Sequence, residues 1–307
     1  MAADDAATRE GDAWTAAVEE AELLASDGAT IHDAAAAAGV DLYFEASVAG
    51  GIPLLRPLKE SLAGERISRV MGIVNGTTNF ILSEMARTGA SYEQALKQAQ
   101  DLGFAEADPT EDVTGKDAAA KMAILARLAF SVAVRLDQVS YEGIERLTAD
   151  DIEYAKELDL SLKLIGSAER IDTGVAVHVY PAFLYADHPL ASVNGAFNAV
   201  TIESPAITEI TLSGPGAGGS QTASAVLGDV VSAMIPPPSL PAPAEEVELV
   251  TDVESAFYLH LEVADRPGVL ARVAEILGMQ GVSIKSVVQK GLGDEARLVM
   301  VMHPVLE

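Results

Sequence analysis

Lys121 stands inside a run that is otherwise almost wholly apolar, with Ala118 to Ala120 before it and Met122 to Ala126 and Leu128 to Phe130 after it. Such a run reads as a helix buried against other elements, and a lysine on it must find a partner rather than bulk water. Asp117 lies four residues earlier, so on a helix the two side chains share one face and can meet. The chain enters this helix from a glycine- and proline-punctuated acidic loop holding Gly103, Glu106, Asp108, Pro109, Asp112 and Gly115. A desolvated lysine beside carboxylates has a tunable pKa and can exchange a proton with a substrate. The bland alternative is a helix start with acids near its positive end and a structural ion pair, and for Asp117 and Lys121 alone it would be preferred. Two glycines, a proline and Glu106 at fixed distances turn the balance toward a chemical site.

Composition narrows the partners. Hydrophobic residues make up 49% of the 307-residue chain and charged residues 21%, enough for well-filled cores and two domains. With 46 acids against 20 bases the formal charge is -26, which disfavours nucleic acid and anionic membrane as partners. The absence of cysteine excludes disulfides and thiolate metal sites. The first residues are acidic and alanine-rich rather than basic and apolar, and the longest apolar helices carry Lys121, Arg127 or Asp229. A cytoplasmic protein without a membrane span is expected. His32, His178, His188, His260 and His303 show no metal spacing and read as surface or packing residues.

Periodicity and caps predict a helix over 27–40 ended by Gly39, a strand over 42–46, a helix from Pro53 through Leu62, a strand over 66–74 and a helix from Thr78. A helix over 91–102 is capped by Ser91 and stopped by Gly103. The Lys121 helix is expected from about Lys116 to Val132, with Thr148 capping the next. Strands follow over 161–170, 176–181, 193–202 and 209–212. The fold class expected is α+β, a mixed sheet with helices covering one face.

Gly214-Pro215-Gly216-Ala217-Gly218-Gly219 satisfies G-x-G-x-x-G between a strand and a helix over 221–235, but no βαβ continuation follows and no acid stands where a ribose needs it. Such a turn still offers backbone N–H groups and a positive helix end to an anion; a tight packing turn is the plainer reading. Five prolines between Pro236 and Pro243 and the acids Glu245, Glu246 and Glu248 mark 236–255 as an extended spacer. Beyond it, β-α-β-β order with Asp265-Arg266-Pro267-Gly268 between the first strand and the helix resembles an ACT domain, the amino-acid-binding regulatory module. Its second helix and fourth strand would lie past Glu307, so the sheet is expected to have an open edge.

The stretch from Ala99 to Lys121 resembles the signature of homoserine dehydrogenase. Three further blocks agree in order: residues 43–58 around Glu45, Val48, Gly50 and Ile52; 70–80 around Asn75, Gly76 and Thr77; and the glycine turn at 213–222. The resemblance implies reversible oxidation of L-homoserine to L-aspartate 4-semialdehyde with NAD or NADP. Lys121 would exchange the hydroxyl proton and Asp117 orient it. Glu106, Asp112, Asp117, Asn75, Gly76 and Thr77 would hold substrate, and Gly103, Glu106, Gly216 and Gly218 would border the cofactor. Glu45 with the carbonyls of Val48, Gly50 and Ile52 would surround a sodium ion; without the resemblance, Glu45 reads as a carboxylate capping a turn. A homodimer and an allosteric amino acid at the ACT-like module are implied as well.

The division expected is 1–44 as a remnant or replacement of the family's nucleotide-binding unit, 45–212 as the substrate and catalytic domain, 213–235 as glycine turn and returning helix, 236–255 as linker, and 256–307 as a partial ACT-like module. The family's second reactive lysine, in a Thr-Ala-Asn-Lys run, has no counterpart in Val18-Glu19-Glu20-Ala21. The chain alone is therefore expected to bind NADPH weakly and turn over slowly or not at all. The alternative function is a non-catalytic or partner-dependent amino-acid-binding fragment.

Overall fold

The computed structural model describes residues 2–171, 174–234, 254–255, 258–290 and 296–306. Two compact units divide between Pro238 and Ser239. The first contains helices α1 (Ala2–Ala38), α2 (Leu55–Lys59), α3 (Gly76–Thr88), α4 (Tyr92–Asp101), α5 (Thr110–Val113), α6 (Lys116–Phe130), α7 (Ala149–Glu157) and α8 (Gly219–Met234). Its strands are β1 (Arg69–Ile73), β2 (Ser140–Tyr141), β3 (Leu160–Ile171), β4 (Gly174–Tyr185), β5 (Phe197–Ser204) and β6 (Thr208–Pro215). They form one mixed sheet in the order β2-β4-β3-β1-β5-β6, antiparallel except for the β2–β4 pair. The fold class is the α+β arrangement expected.

Helices start where the sequence supplies caps. Ser91 accepts from the Gln94 amide while Gln94 reaches back, and Thr148 and Asp151 repeat the arrangement, satisfying N–H groups that a helix start leaves bare. The α6 helix packs over β1, β3 and β4, with α3 beside it on β3 and β5 and α7 on β3. Its alanines let it approach closely, so Ala118 through Ala126 are all buried in the main core with Val70, Leu164, Val179 and Val200. On the opposite face a smaller cluster gathers Ile73, Ile165, Leu184 and Ala199.

Four expectations shift. The helix expected over 27–40 extends back to Ala2, as its alanine-rich composition permits. The strand expected over 42–46 is absent; Glu45–Ser47 form a short 3-10 turn, because the Glu45 carboxylate draws the amides of Leu54, Leu55 and Arg56 onto itself and folds the chain back. The helix expected from Pro53 is limited to Leu55–Lys59. The strand expected from Val193 begins only at Phe197, since the Val193 carbonyl and the Asn194 side chain are drawn to Lys163 and Gly195 has φ 68°.

In the second unit, β8 (Tyr258–Val263) and β9 (Ile284–Lys290) flank the central β10 (Ala296–Met302), and α9 (Val269–Met279) connects β8 to β9. The two-residue β7 (Glu254–Ser255) pairs with β11 (Val305–Leu306). Pro267 precedes the helix, and Gly268, with φ 95°, turns the chain into α9. Leu298, Met300 and Met302 form the centre of this unit's core beneath Val269, Val273 and Leu277. Residues 235–253, most of the expected linker, lie outside the described residues.

Candidate active site

The α6 helix begins at Gly115, whose φ of 84° turns the chain out of α5 and places Asp112 and Asp117 on the same side. One turn on, Lys121 is 7% exposed; its Nζ donates to Asp117 Oδ2 at 2.7 Å and to the Val74 carbonyl at 3.3 Å. The amine is therefore held inward among apolar neighbours beside Asp117, as the sequence predicts.

Asn75 joins the pieces. Its Oδ1 accepts from the Thr78 amide at 2.9 Å and so caps α3, while its Nδ2 donates to Asp112 Oδ1 at 2.6 Å and to Asp117 Oδ2 at 2.9 Å. Burial pushes the Asp112 carboxyl up to about 6, and the neighbouring Asp117 charge adds to this, against opposing pulls from Asn75, Lys121 and Thr77. Two carboxylates thus face one ammonium, leaving surplus negative charge beside the bare N–H groups of the α3 N-terminus. That arrangement can hold the ammonium and the carboxylate of an amino acid at once.

Thr77 donates from Oγ1 to the Phe104 carbonyl at 2.7 Å, and the Phe80 and Phe104 rings lie 4.7 Å apart, tying the Gly103–Glu106 loop to α3. Gly103 has φ 77°, which ends α4 as expected. Glu106 is exposed on this loop; its carbonyl accepts from Gln100, and its carboxylate has no hydrogen bond to Lys121. The structure therefore brings Asn75, Gly76, Thr77, Asp112, Asp117 and Lys121 together and leaves Glu106 at the edge.

The second group forms around Glu45. Its carboxylate accepts from the amides of Leu54 at 2.6 Å, Leu55 at 2.8 Å and Arg56 at 2.9 Å, capping α2 much as the plainer reading supposed. The carbonyls of Val48, Gly50 and Ile52 accept no backbone hydrogen bond among the described residues, although all three residues are buried. Hard-oxygen acceptors without donors suit a monovalent cation. The loop is fastened to the glycine turn, since Gly51 N donates to the Pro215 carbonyl at 3.1 Å. In that turn a side chain at Gly216 would place its Cβ 2.0 Å from Asn198 Nδ2, and one at Gly218, where φ is 125°, 2.3 Å from Gln221 Oε1. Bare backbone opening into the N-terminus of α8 fits the pyrophosphate or ribose portion of a dinucleotide.

Three residues here carry no sequence signal. Asp229 on α8 accepts from Glu45 N at 2.8 Å and from Arg56 Nη2 at 2.9 Å. Lys163, buried on β3, donates to Asn79 Oδ1, Asn194 Oδ1 and the Val193 carbonyl, and burial pushes its amine down to about 8. Asn198 lies between Gly76 and Gly216. Each is an ordinary polar residue in sequence and gains its role only from strands and helices distant along the chain.

The homoserine dehydrogenase family model matches residues 53–231 and the ACT domain model matches 258–305. Homoserine dehydrogenase from Corynebacterium glutamicum is 46% identical over 297 residues, covering 93% of this chain and 67% of its own. The enzyme from Mycobacterium tuberculosis strain H37Rv is 48% identical over 299 residues, covering 92% and 68%. The crystal structure of a homoserine dehydrogenase from Thiobacillus denitrificans superimposes with a TM-score of 0.68 at 40% identity, over 94% of this chain and 69% of that one. The chain belongs to the homoserine dehydrogenase family, oxidoreductases of amino-acid biosynthesis, and carries an ACT domain after its catalytic fold.

Proposed function

We propose that the first unit catalyses the reversible oxidation of L-homoserine to L-aspartate 4-semialdehyde, with Lys121 exchanging the hydroxyl proton. The supporting observation is the buried Lys121–Asp117 pair at 2.7 Å, in which Asp117 Oδ2 also accepts from Asn75 Nδ2. Asp117 and Val74 take two N–H groups of Lys121, and the remaining position on Nζ, a lone pair in the amine and an N–H in the ammonium, is left for the substrate oxygen. In the oxidising direction the free amine of Lys121 accepts that proton while the C–O bond becomes a carbonyl. When bound, NAD or NADP supplies the hydride acceptor. Asp112 and Asp117 hold the substrate ammonium, with Glu106 approaching from the adjoining loop, and Asn75, Gly76 and Thr77 take its carboxylate end. Gly103, Glu106, Gly216 and Gly218 border the cofactor, NADP or NAD.

Sodium would be held by the carbonyls of Val48, Gly50 and Ile52 with Glu45 bracing the loop from beneath. The sheet face opposite the helices, where Tyr180 is exposed beside Ile165, suits a second copy and supports a homodimer. An amino acid is the effector proposed for the ACT domain. No described helix is long and apolar enough to cross a membrane.

Lys121→Ala, made in an enzyme that also carries a nucleotide-binding unit, tests the central assignment. Turnover should fall by about 10² to 10⁴ with little change in the homoserine KM. A rise in KM alone would refute the proton-exchange role.

A further inference from the structure

Among the described residues, the buried side-chain polar atom left without a hydrogen-bond partner is Asn198 Oδ1. Asn198 is 1% exposed and sits on β5 opposite Gly214 of β6, one residue before Ala199, which is opposite Ile73 of β1. It therefore stands level with the point where β1 runs out into Val74 and Asn75. Two glycines close on the same amide: a Cβ at Gly76 would come within 3.4 Å of Oδ1, and one at Gly216 within 2.0 Å of Nδ2. Gly76 belongs to the substrate loop and Gly216 to the turn that borders the cofactor.

A buried acceptor without a donor is unfavourable and rare, and this one lies between the groups proposed to bind the two reactants. We propose that Asn198 Oδ1 accepts an N–H from the carboxamide of the nicotinamide ring and so sets which ring face meets the substrate carbon. This rests on the dehydrogenase reading of the site. A neutral amide acceptor matches a neutral amide donor, whereas the substrate ammonium already has Asp112 and Asp117 at hand. Asn198 is a binding and positioning residue in this scheme and takes no proton.

The test compares NADP with its 3-acetylpyridine analogue, in which a methyl group replaces the carboxamide nitrogen. Both are titrated onto the full chain by ligand-observed NMR, which reads weak binding without turnover. The unsubstituted chain should prefer NADP by roughly three- to tenfold, the worth of one neutral hydrogen bond. Asn198→Leu should bind both equally, and Asn198→Asp, which keeps an acceptor oxygen, should retain the preference. Thermal unfolding of Asn198→Leu should match or exceed that of the unsubstituted chain, because an orphaned polar atom has been removed. A preference unchanged in Asn198→Leu overturns the proposal, as does a lowered unfolding temperature with equal loss for both ligands, which would mark a packing role. A change confined to homoserine affinity overturns it in favour of the substrate. If neither dinucleotide binds the unsubstituted chain, the cofactor reading itself falls.

Discussion

Asn75 Nδ2 lies 2.6 Å from Asp112 Oδ1, and this bond links the cap of one helix to the acid that guards the start of another. Asp112 is also the acid whose ionisation is most displaced within the cluster, pushed up to about 6 by burial and by Asp117.

That displacement predicts the pH dependence of catalysis. The substrate ammonium needs Asp112 ionised, so kcat/KM for homoserine should fall as pH drops through about 6. Asp112→Asn should lower kcat/KM at pH 8 by roughly tenfold and remove this acidic limb. A limb that survives the substitution belongs to another group.

The same group affects stability in the opposite sense from an ordinary carboxylate. Its folded pKa is above the unfolded value, so between about 4 and 6 the folded state binds more protons and stability falls as pH rises. The effect is at most about 3 kcal/mol and less with solvent screening. Urea unfolding of Asp112→Asn across that window should show a shallower decline than the unsubstituted chain.

Glu45 should matter to folding before it matters to a cation. Three amides converge on its carboxylate, and Glu45→Ala would leave them buried without acceptors, at a cost of about 2 to 4 kcal/mol. Glu45→Gln keeps one acceptor oxygen and should lose about half as much. Both losses should be equal in sodium and choline salts; a deficit present in sodium alone would make cation ligation the larger role.

Lys163 gives a second signature, in alkaline solution. Burial holds its amine at about 8, below the unfolded value, so from about 8 to 10.5 the unfolded state binds more protons and stability rises with pH. Lys163→Met should abolish this rise in denaturant titrations. It should also loosen Asn79 and the 193–194 segment, raising the homoserine KM through α3 while Lys121 is untouched.

Gly216→Ala should reduce dinucleotide affinity by at least tenfold, since the added Cβ would meet Asn198 at 2.0 Å and move either the turn or the amide. Overpacking of this kind costs about 1 to 3 kcal/mol, measurable as a lowered urea midpoint. An unchanged affinity would remove the turn from the cofactor site.

Local chemistry was enough for the capped helices α4 and α7, for the Lys121 helix and for half of the site. Asp117 and Lys121 meet because i and i+4 share a face, Ser91 and Thr148 cap because their hydroxyls reach N3, and the alanines of α6 are buried because nothing polar opposes it. Tertiary structure alone decided the rest. Asp229 meets Glu45 across 184 residues, Lys163 meets Asn79 across 84, and Asn198 is enclosed by glycines from two separate loops. Such contacts depend on which strands pair and in what register, and no period or spacing in the chain encodes that pairing. Glu45 shows the limit clearly: its position marks a special carboxylate, but only the closure of residues 54–56 onto it reveals that it first serves the backbone.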